Sequence, residues 1–154
     1  MARASASPPC LAATLVRTRP PRALRVRVKR VYESPARADG FRVLVDRLWP
    51  RGLSKDRAAL SAWAKEIAPS TALRQWLHQD PARWAQFRVR YRRELKEHAV
   101  ELEALRQVAL RRPVTLLYAA HSTVRNHALV LKGAIEQLHT RAAAHLLRPR
   151  RSRG

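Results

Sequence analysis

Two short apolar runs set the limits on how this chain can fold. Val43-Leu44-Val45 lies within Phe41–Trp49, and a second run occupies Val114–Ala120. Asp39-Gly40 precedes the first and Pro113 the second. Bounded runs of this length read as strands covered on both faces. Between them, Trp84, Phe87, Tyr91, Leu95, His98, Leu102 and Leu105 recur at three- or four-residue steps, the stripe of a helix packed on a core. Strands separated by helical stretches point to an α/β layer sandwich: one domain with a small mixed sheet of three to four strands flanked by helices.

The remaining elements follow from local signals. In Leu24–Tyr32 the apolar Leu24, Val26 and Val28 alternate with Arg25, Arg27 and Lys29, the period of a half-exposed strand. The Glu33–Gly40 link is too short for a helical crossover, so the strands on either side of it are expected to run antiparallel if they are neighbours. Ser54 can cap a short helix through Leu60, and Ser70 a helix to about His78. Ser61–Ile67 fits either a strand or a helix. Asp80-Pro81 opens the long amphipathic stretch, proline being favoured at a first helical position. On its wet face Arg90–Glu94 and Arg93–Glu97 are spaced to pair. A break is expected near Glu97–Val100, because a single helix reaching Arg111 would be unusually long. After the polar turn Ala120–Val124, a last helix is expected from Arg125 to Leu138 with Ala128, Leu131, Ile135 and Leu138 inward.

At 154 residues the chain has single-domain size and can bury a core without disulfide or metal staples. Cys10 is its one cysteine, so no internal disulfide forms, and a reducing, cytoplasmic setting is expected. No apolar run approaches the ~20 residues that span a bilayer. The formal net charge is +21, and residues 1–23 and 141–154 hold nine Arg and no acid, leaving +12 between them. Both ends also lack a periodic apolar face. A folded unit at residues 24–140 is therefore expected, with a basic extension at 1–23 that is either disordered or the product of a start assigned too far upstream, and a disordered basic tail at 141–154. A field of this sign attracts anionic metabolites, nucleotides and polyanions. The excess of 27 Arg over 5 Lys fits GC-rich codon usage equally well, so charge alone does not choose a partner.

In open α/β sheets, ligands bind beyond the carboxyl ends of the strands, and two loops qualify. Asp46-Arg47-Leu48-Trp49-Pro50-Arg51-Gly52 leaves the second strand, and Ala120-His121-Ser122-Thr123-Val124-Arg125-Asn126 leaves the last. Arg47 and Arg51 carry planar forks that match a carboxylate or phosphate, and Trp49 offers a flat apolar wall. The second loop opens a helix, whose free N–H groups favour an anion. Ser122, Thr123 and Asn126 can add side-chain hydrogen bonds there. If the site is catalytic, Asp46 is the general acid or base, Arg47 and Arg51 stabilise negative charge, and Asn126 orients the substrate. Lys65 is a further candidate cation. Structural readings stand beside these: Asp46-Arg47 as a buried turn pair, Trp49-Pro50 as a core plug, Ser122 or Thr123 as a helix cap. Neither a metal nor a cofactor is expected. His121 and His127 do not match a zinc spacing, and no phosphate loop, dinucleotide fingerprint or nucleophile elbow is present.

The strings Val28-Lys29-Arg30-Val31-Tyr32-Glu33 and Asp39-Gly40-Phe41-Arg42-Val43-Leu44-Val45-Asp46-Arg47-Leu48-Trp49-Pro50-Arg51-Gly52-Leu53-Ser54 resemble the YeaO-like bacterial family of unknown function, DUF-488. Ala68-Pro69-Ser70, His78-Gln79-Asp80-Pro81, Leu116-Leu117-Tyr118-Ala119-Ala120 and Asn126-His127-Ala128 extend the resemblance over about Arg27–Leu138. It implies an α/β fold and a bacterial, cytosolic protein, and it implies no established reaction. Members of that family place an acidic residue shortly after the last strand, where this chain has His121-Ser122-Thr123. If that carboxylate serves catalysis in the family, this chain lacks it.

The leading expectation is a small cytosolic domain that binds an anionic, phosphate- or carboxylate-bearing small molecule between the Asp46–Gly52 loop and the start of the last helix. The alternative is a nucleic-acid-binding accessory protein using its basic surface and Arg-rich tails. Against that alternative, no helix-turn-helix, zinc-finger or RNA-binding signature is present.

Overall fold

A computed structural model of the chain describes residues 22–148; the disorder expected of residues 1–21 and 149–154 lies outside them. Four strands form one sheet: β1 (Val26–Arg30), β2 (Phe41–Leu44), β3 (Ala62–Trp63) and β4 (Val114–Tyr118). Their order is β1-β4-β2-β3, so the last strand in sequence lies inside the sheet. Leu116 of β4 is in register with Val28 on one side and Val43 on the other. The expected α/β layers are present, with a sheet that is parallel throughout rather than mixed. The antiparallel pairing of β1 with β2 does not arise, because β4 separates them. The Val31–Gly40 link returns the chain across β4 without a helix, since about ten extended residues reach roughly 33 Å, about twice the rise of a five-residue strand. Thr115 Oγ1 holds the link down by donating to the Asp39 carbonyl (2.7 Å).

Parallel strands need cover on both faces, and the alternation along β2 divides the core accordingly. Val43 and Val45 belong to a larger cluster with Leu116, Tyr118, Phe87, Tyr91, Leu95, Leu131 and Ile135. Those residues come from β4, α3 (Trp84–Lys96) and α5 (His127–Leu146), and α4 (Ala99–Arg111) adds Leu102 and Leu105. Leu44 joins a thinner layer with Val31, Leu117, Leu53 and Ala58, the last from α1 (Lys55–Ala58).

The serine caps form as their positions suggest. Ser54 Oγ accepts from the Arg57 N–H, and Ser70 Oγ from the Leu73 N–H at the start of α2 (Thr71–Gln79), both at 3.2 Å. Ser61–Ile67 splits between two states, β3 followed by a 3-10 turn at Lys65–Ile67. Asp80-Pro81 opens a 3-10 turn that runs into α3, and the expected break falls between Lys96 and Ala99.

Two details differ from expectation. The Arg90–Glu94 and Arg93–Glu97 pairs do not form among the described residues. Glu94 turns to Ser70 instead, accepting from its N–H (2.9 Å) and Oγ (2.5 Å), while Arg90 lies over the Trp76 ring at 4.1 Å. Two part-buried hydrogen bonds to a carboxylate outweigh an exposed helix ion pair of about 0.3–0.5 kcal/mol. The last helix also passes Leu138 and the expected domain edge at residue 140 to reach Leu146, since Ala142-Ala143-Ala144 strongly favour helix.

Gly40 sets the entry to β2. Its φ is +65°, and a Cβ there would overlap the Pro113 carbonyl oxygen, which accepts the Phe41 N–H at 2.8 Å. Beside it Asp39 is only 5% exposed. It takes donors from Lys29 Nζ, Arg42 Nη1 and the Ala36 N–H. Burial raises the carboxyl, but these donors together outweigh it and hold Asp39 below its ordinary value.

Candidate functional site

All four strands point the same way, so their carboxyl ends deliver their loops to one edge of the sheet. Asp46 stands there just beyond β2 and connects the two loops singled out above. Its Oδ2 accepts from the Ala119 N–H (2.9 Å) at the exit of β4. Its Oδ1 lies 3.0 Å from Nε2 of His127, the first residue of α5. Its backbone carbonyl takes Nε1–H of Trp63 (2.7 Å) at the end of β3. Arg30, at the end of β1, grips the same β4 exit through the Ala120 carbonyl (3.0 Å). One short carboxylate residue thus joins the ends of β2, β3 and β4 to the start of α5.

His127 Nε2 also lies 2.9 Å from the Val45 carbonyl. Both of its neighbours are acceptors, so Nε2 carries the proton in this arrangement. The N–H is directed at the carbonyl, leaving Asp46 Oδ1 buried beside it without a hydrogen bond of its own among the described residues. The imidazole stands edge-on to Tyr91, with ring centroids 6.2 Å apart. Tyr91 is fully buried and donates its hydroxyl to the Ile67 carbonyl (2.7 Å). Burial, reinforced by the charges of Glu94 and Asp46, pushes its phenol pKa up, so this hydroxyl is a fixed donor.

The other candidate residues divide by how much of each remains for a ligand. Arg47 spends Nε and Nη2 on the Pro69 and Ala68 carbonyls (3.2 and 3.1 Å). Asn126 is 2% exposed and caps α5, accepting from the Leu129 N–H (3.1 Å) and donating Nδ2–H to the Ser122 carbonyl (3.1 Å). Ser122 Oγ accepts from the Arg125 N–H (2.9 Å). Trp49 donates Nε1–H to the Leu53 carbonyl (2.7 Å) and stands edge-on to Trp63, 5.5 Å between centroids. Lys65 lies 5.3 Å over the Trp63 ring. Arg51 and Thr123 are exposed, and their side chains make no hydrogen bond or ion pair among the described residues. Tyr32 ties the first loop in place by donating to the Arg51 carbonyl (2.9 Å).

Sequence reading missed His127, Tyr91, Trp63 and Arg30 as parts of this edge. Tyr91 sat in a stripe that needed only apolar bulk. His127 followed a polar turn at a helix start, which was the one local signal it carried. Among the described residues no group of three or more His, Cys, Asp or Glu side chains is placed to hold a metal ion. Among the same residues no helix is long and apolar enough to cross a membrane.

Comparison with known proteins places the chain among bacterial relatives. A family model described as the inactive DUF488-N3 subclade matches residues 25–150. The uncharacterised protein YeaO of Escherichia coli K12 is 46% identical over 115 residues, covering 75% of this chain and all of YeaO. The uncharacterised protein Rv3073c of Mycobacterium tuberculosis H37Rv is 46% identical over 110 residues, 71% of this chain and 92% of that protein. No solved structure gives a significant match. Matched over most of its length, with YeaO covered end to end, the chain belongs to the DUF488 family.

Proposed function

We propose that this chain is a cytoplasmic binding domain that takes an anionic, phosphate- or carboxylate-bearing small molecule at the carboxyl edge of its sheet and carries out no reaction there. The observation behind this reading is the Asp46 clasp on Ala119 and His127, which sets the Asp46–Gly52 loop beside the start of α5. Asp46 acts as a strut: both carboxylate oxygens face protein groups and Oδ1 is sealed from solvent, an unsuitable position for a general base. Arg51, with its unengaged fork, and Thr123, four residues before a 20-residue helix, are the groups left for the ligand. The segment Ala119–His127 contains no carboxylate to repel an anion or to serve as a second acid. The name of the matching subclade, inactive, supports a fold retained for binding. The binding unit runs from residue 24 to α5, and residues 1–23 are not needed for it.

Thermal melts with added inorganic phosphate or citrate test this. A ligand at a hundred times its Kd stabilises by about 2.7 kcal/mol, so the melting temperature of the wild type rises with concentration and saturates. Arg51→Lys keeps the charge but loses the fork, and Arg51→Ala loses both; the rise shrinks in the first and vanishes in the second. Equal rises in all three proteins, or none in the wild type, would remove this site.

The alternative, nucleic-acid binding, is favoured by the net charge of +21. Tail-driven binding would be weak, indifferent to sequence and lost steeply with salt, and deleting residues 1–23 and 149–154 would abolish most of it. Retention of tight binding near 0.15 M salt by the shortened chain would put this alternative first.

A further inference from the structure

We propose that the groove where α3, α4 and α5 meet is a docking site for an acidic amphipathic helix of a partner protein. The groove has a volume of about 540 Å³. Leu95 and Leu102 form its apolar floor, and Val89, 55% exposed, stands at its edge. Arg92, Arg93, Lys96 and Arg141 line it as well, and no acidic residue does.

These cations have no carboxylate partner among the described residues. Of the acids on neighbouring turns, Glu94 is engaged on Ser70, Glu103 on Arg106 and Glu136 on Lys132, and Glu97 is exposed outside the groove lining. Arg92 goes further, because its Nε is buried without a hydrogen-bond partner. A desolvated guanidinium N–H left unpaired is costly, and turning the Arg92 fork outward to an incoming carboxylate would relieve it with a charge-assisted bond.

Shape and charge together choose the occupant. The lining runs from Val89 to Lys96 on α3 and from Ala134 to Arg141 on α5, each about two helical turns, or roughly 10 Å. That length matches apolar anchors at i, i+3 or i+4, and i+7 of a bound helix. Exposed Val89, Arg93 and Lys96 leave the groove too open to enclose a small molecule, which a pocket normally buries by 70–90% or more. No aromatic ring lines it, so it lacks the stacking platform that single-stranded nucleic acid uses. A second copy of this chain would bring like charge to a surface already positive. The floor is recessed rather than protruding, with Leu95 and Leu102 buried, which suits an inserted side chain better than a lipid surface.

The test uses the full chain and a fluorescent synthetic peptide of about 14 residues, with leucines on one helical face and glutamates flanking them. A second peptide has the same composition with the leucines scattered. Anisotropy titrations are expected to show the amphipathic peptide binding at least ten-fold tighter than the scattered one. Amide chemical shifts should move within Val89–Leu102 and Ala134–Arg141. Lys96→Glu combined with Arg141→Glu, both exposed positions that tolerate reversal, should weaken binding at least ten-fold, as should Val89→Asp. Arg51→Ala should leave it unchanged, which separates this groove from the edge of the sheet. Equal binding of the two peptides, or indifference to the charge reversals, would overturn the proposal. So would binding to phosphatidylserine vesicles that the peptide fails to displace.

Discussion

Replacing Asp39 by alanine is expected to cost on the order of 3–5 kcal/mol of stability, the usual consequence of stripping one partner from a buried ion pair. For a domain of this size that is a fall in melting temperature of about 10 °C. Arg42 has nowhere else to send its charge. It is 5% exposed and already donates to the Ala58 and Ala59 carbonyls, and Lys29 on β1, across β4, loses its carboxylate partner too. The effect has a pH signature. The Asp39 carboxyl titrates below its ordinary 3.8 in the folded chain, so the folded state holds fewer protons than the unfolded one. Its contribution is present above pH 3.8 and is lost as pH falls through the lower folded value. Urea midpoints of wild type and Asp39→Ala should therefore differ most near neutral pH and converge in acid. A difference below about 1 kcal/mol at pH 7 would mean that the cluster is solvated and does not hold the Val31–Gly40 link to the sheet.

That cluster marks where local patterns stop being informative. Alternation in Leu24–Tyr32, the Val43-Leu44-Val45 run, the Ser54, Ser70 and Asp80 starts and the break near Glu97–Val100 are local, and the chain forms each of them. Strand order is not local. Nothing in Glu33–Gly40 states that this link passes over β4, because β4 lies some 75 residues further along the chain and the contacts that decide its place, Val114 with Val26 and with Phe41, are made only in the fold. Asp39-Gly40 reads as a turn signal, and nothing local marks Arg42 as the buried partner of that carboxylate. The turn signal predicts the backbone and carries no information on the partnership. The same holds at the sheet edge. Asp46 drew notice because it follows a buried strand, whereas His127 is a partner only because parallel strands bring the start of α5 to that end. The helix termini behaved differently: alanine at 142–144 carried α5 past a boundary drawn on charge, since propensity outlasts composition where no breaker intervenes.

Asp46→Ala is expected to lose about 2–3 kcal/mol, the cost of removing a charged hydrogen-bond acceptor and leaving its donor inside the fold. The Ala119 N–H is left without its acceptor, and the β4 exit loses its tie to β2. Hydrogen exchange at Ala119 should quicken beyond the change expected from global stability. Asp46→Asn keeps an acceptor for Ala119 but removes the charge beside His127 Nε2, so it should fall between alanine and wild type. A carboxylate kept for chemistry would behave in the opposite sense, since its removal relieves an unpaired buried oxygen and leaves stability unchanged or improved. The two roles therefore separate on the sign of one measurement. If Asp46→Ala unfolds at the wild-type urea midpoint with Ala119 exchange unaltered, the strut reading is wrong. Asp46 would then be free to face a ligand, and the edge of the sheet would regain a candidate acid.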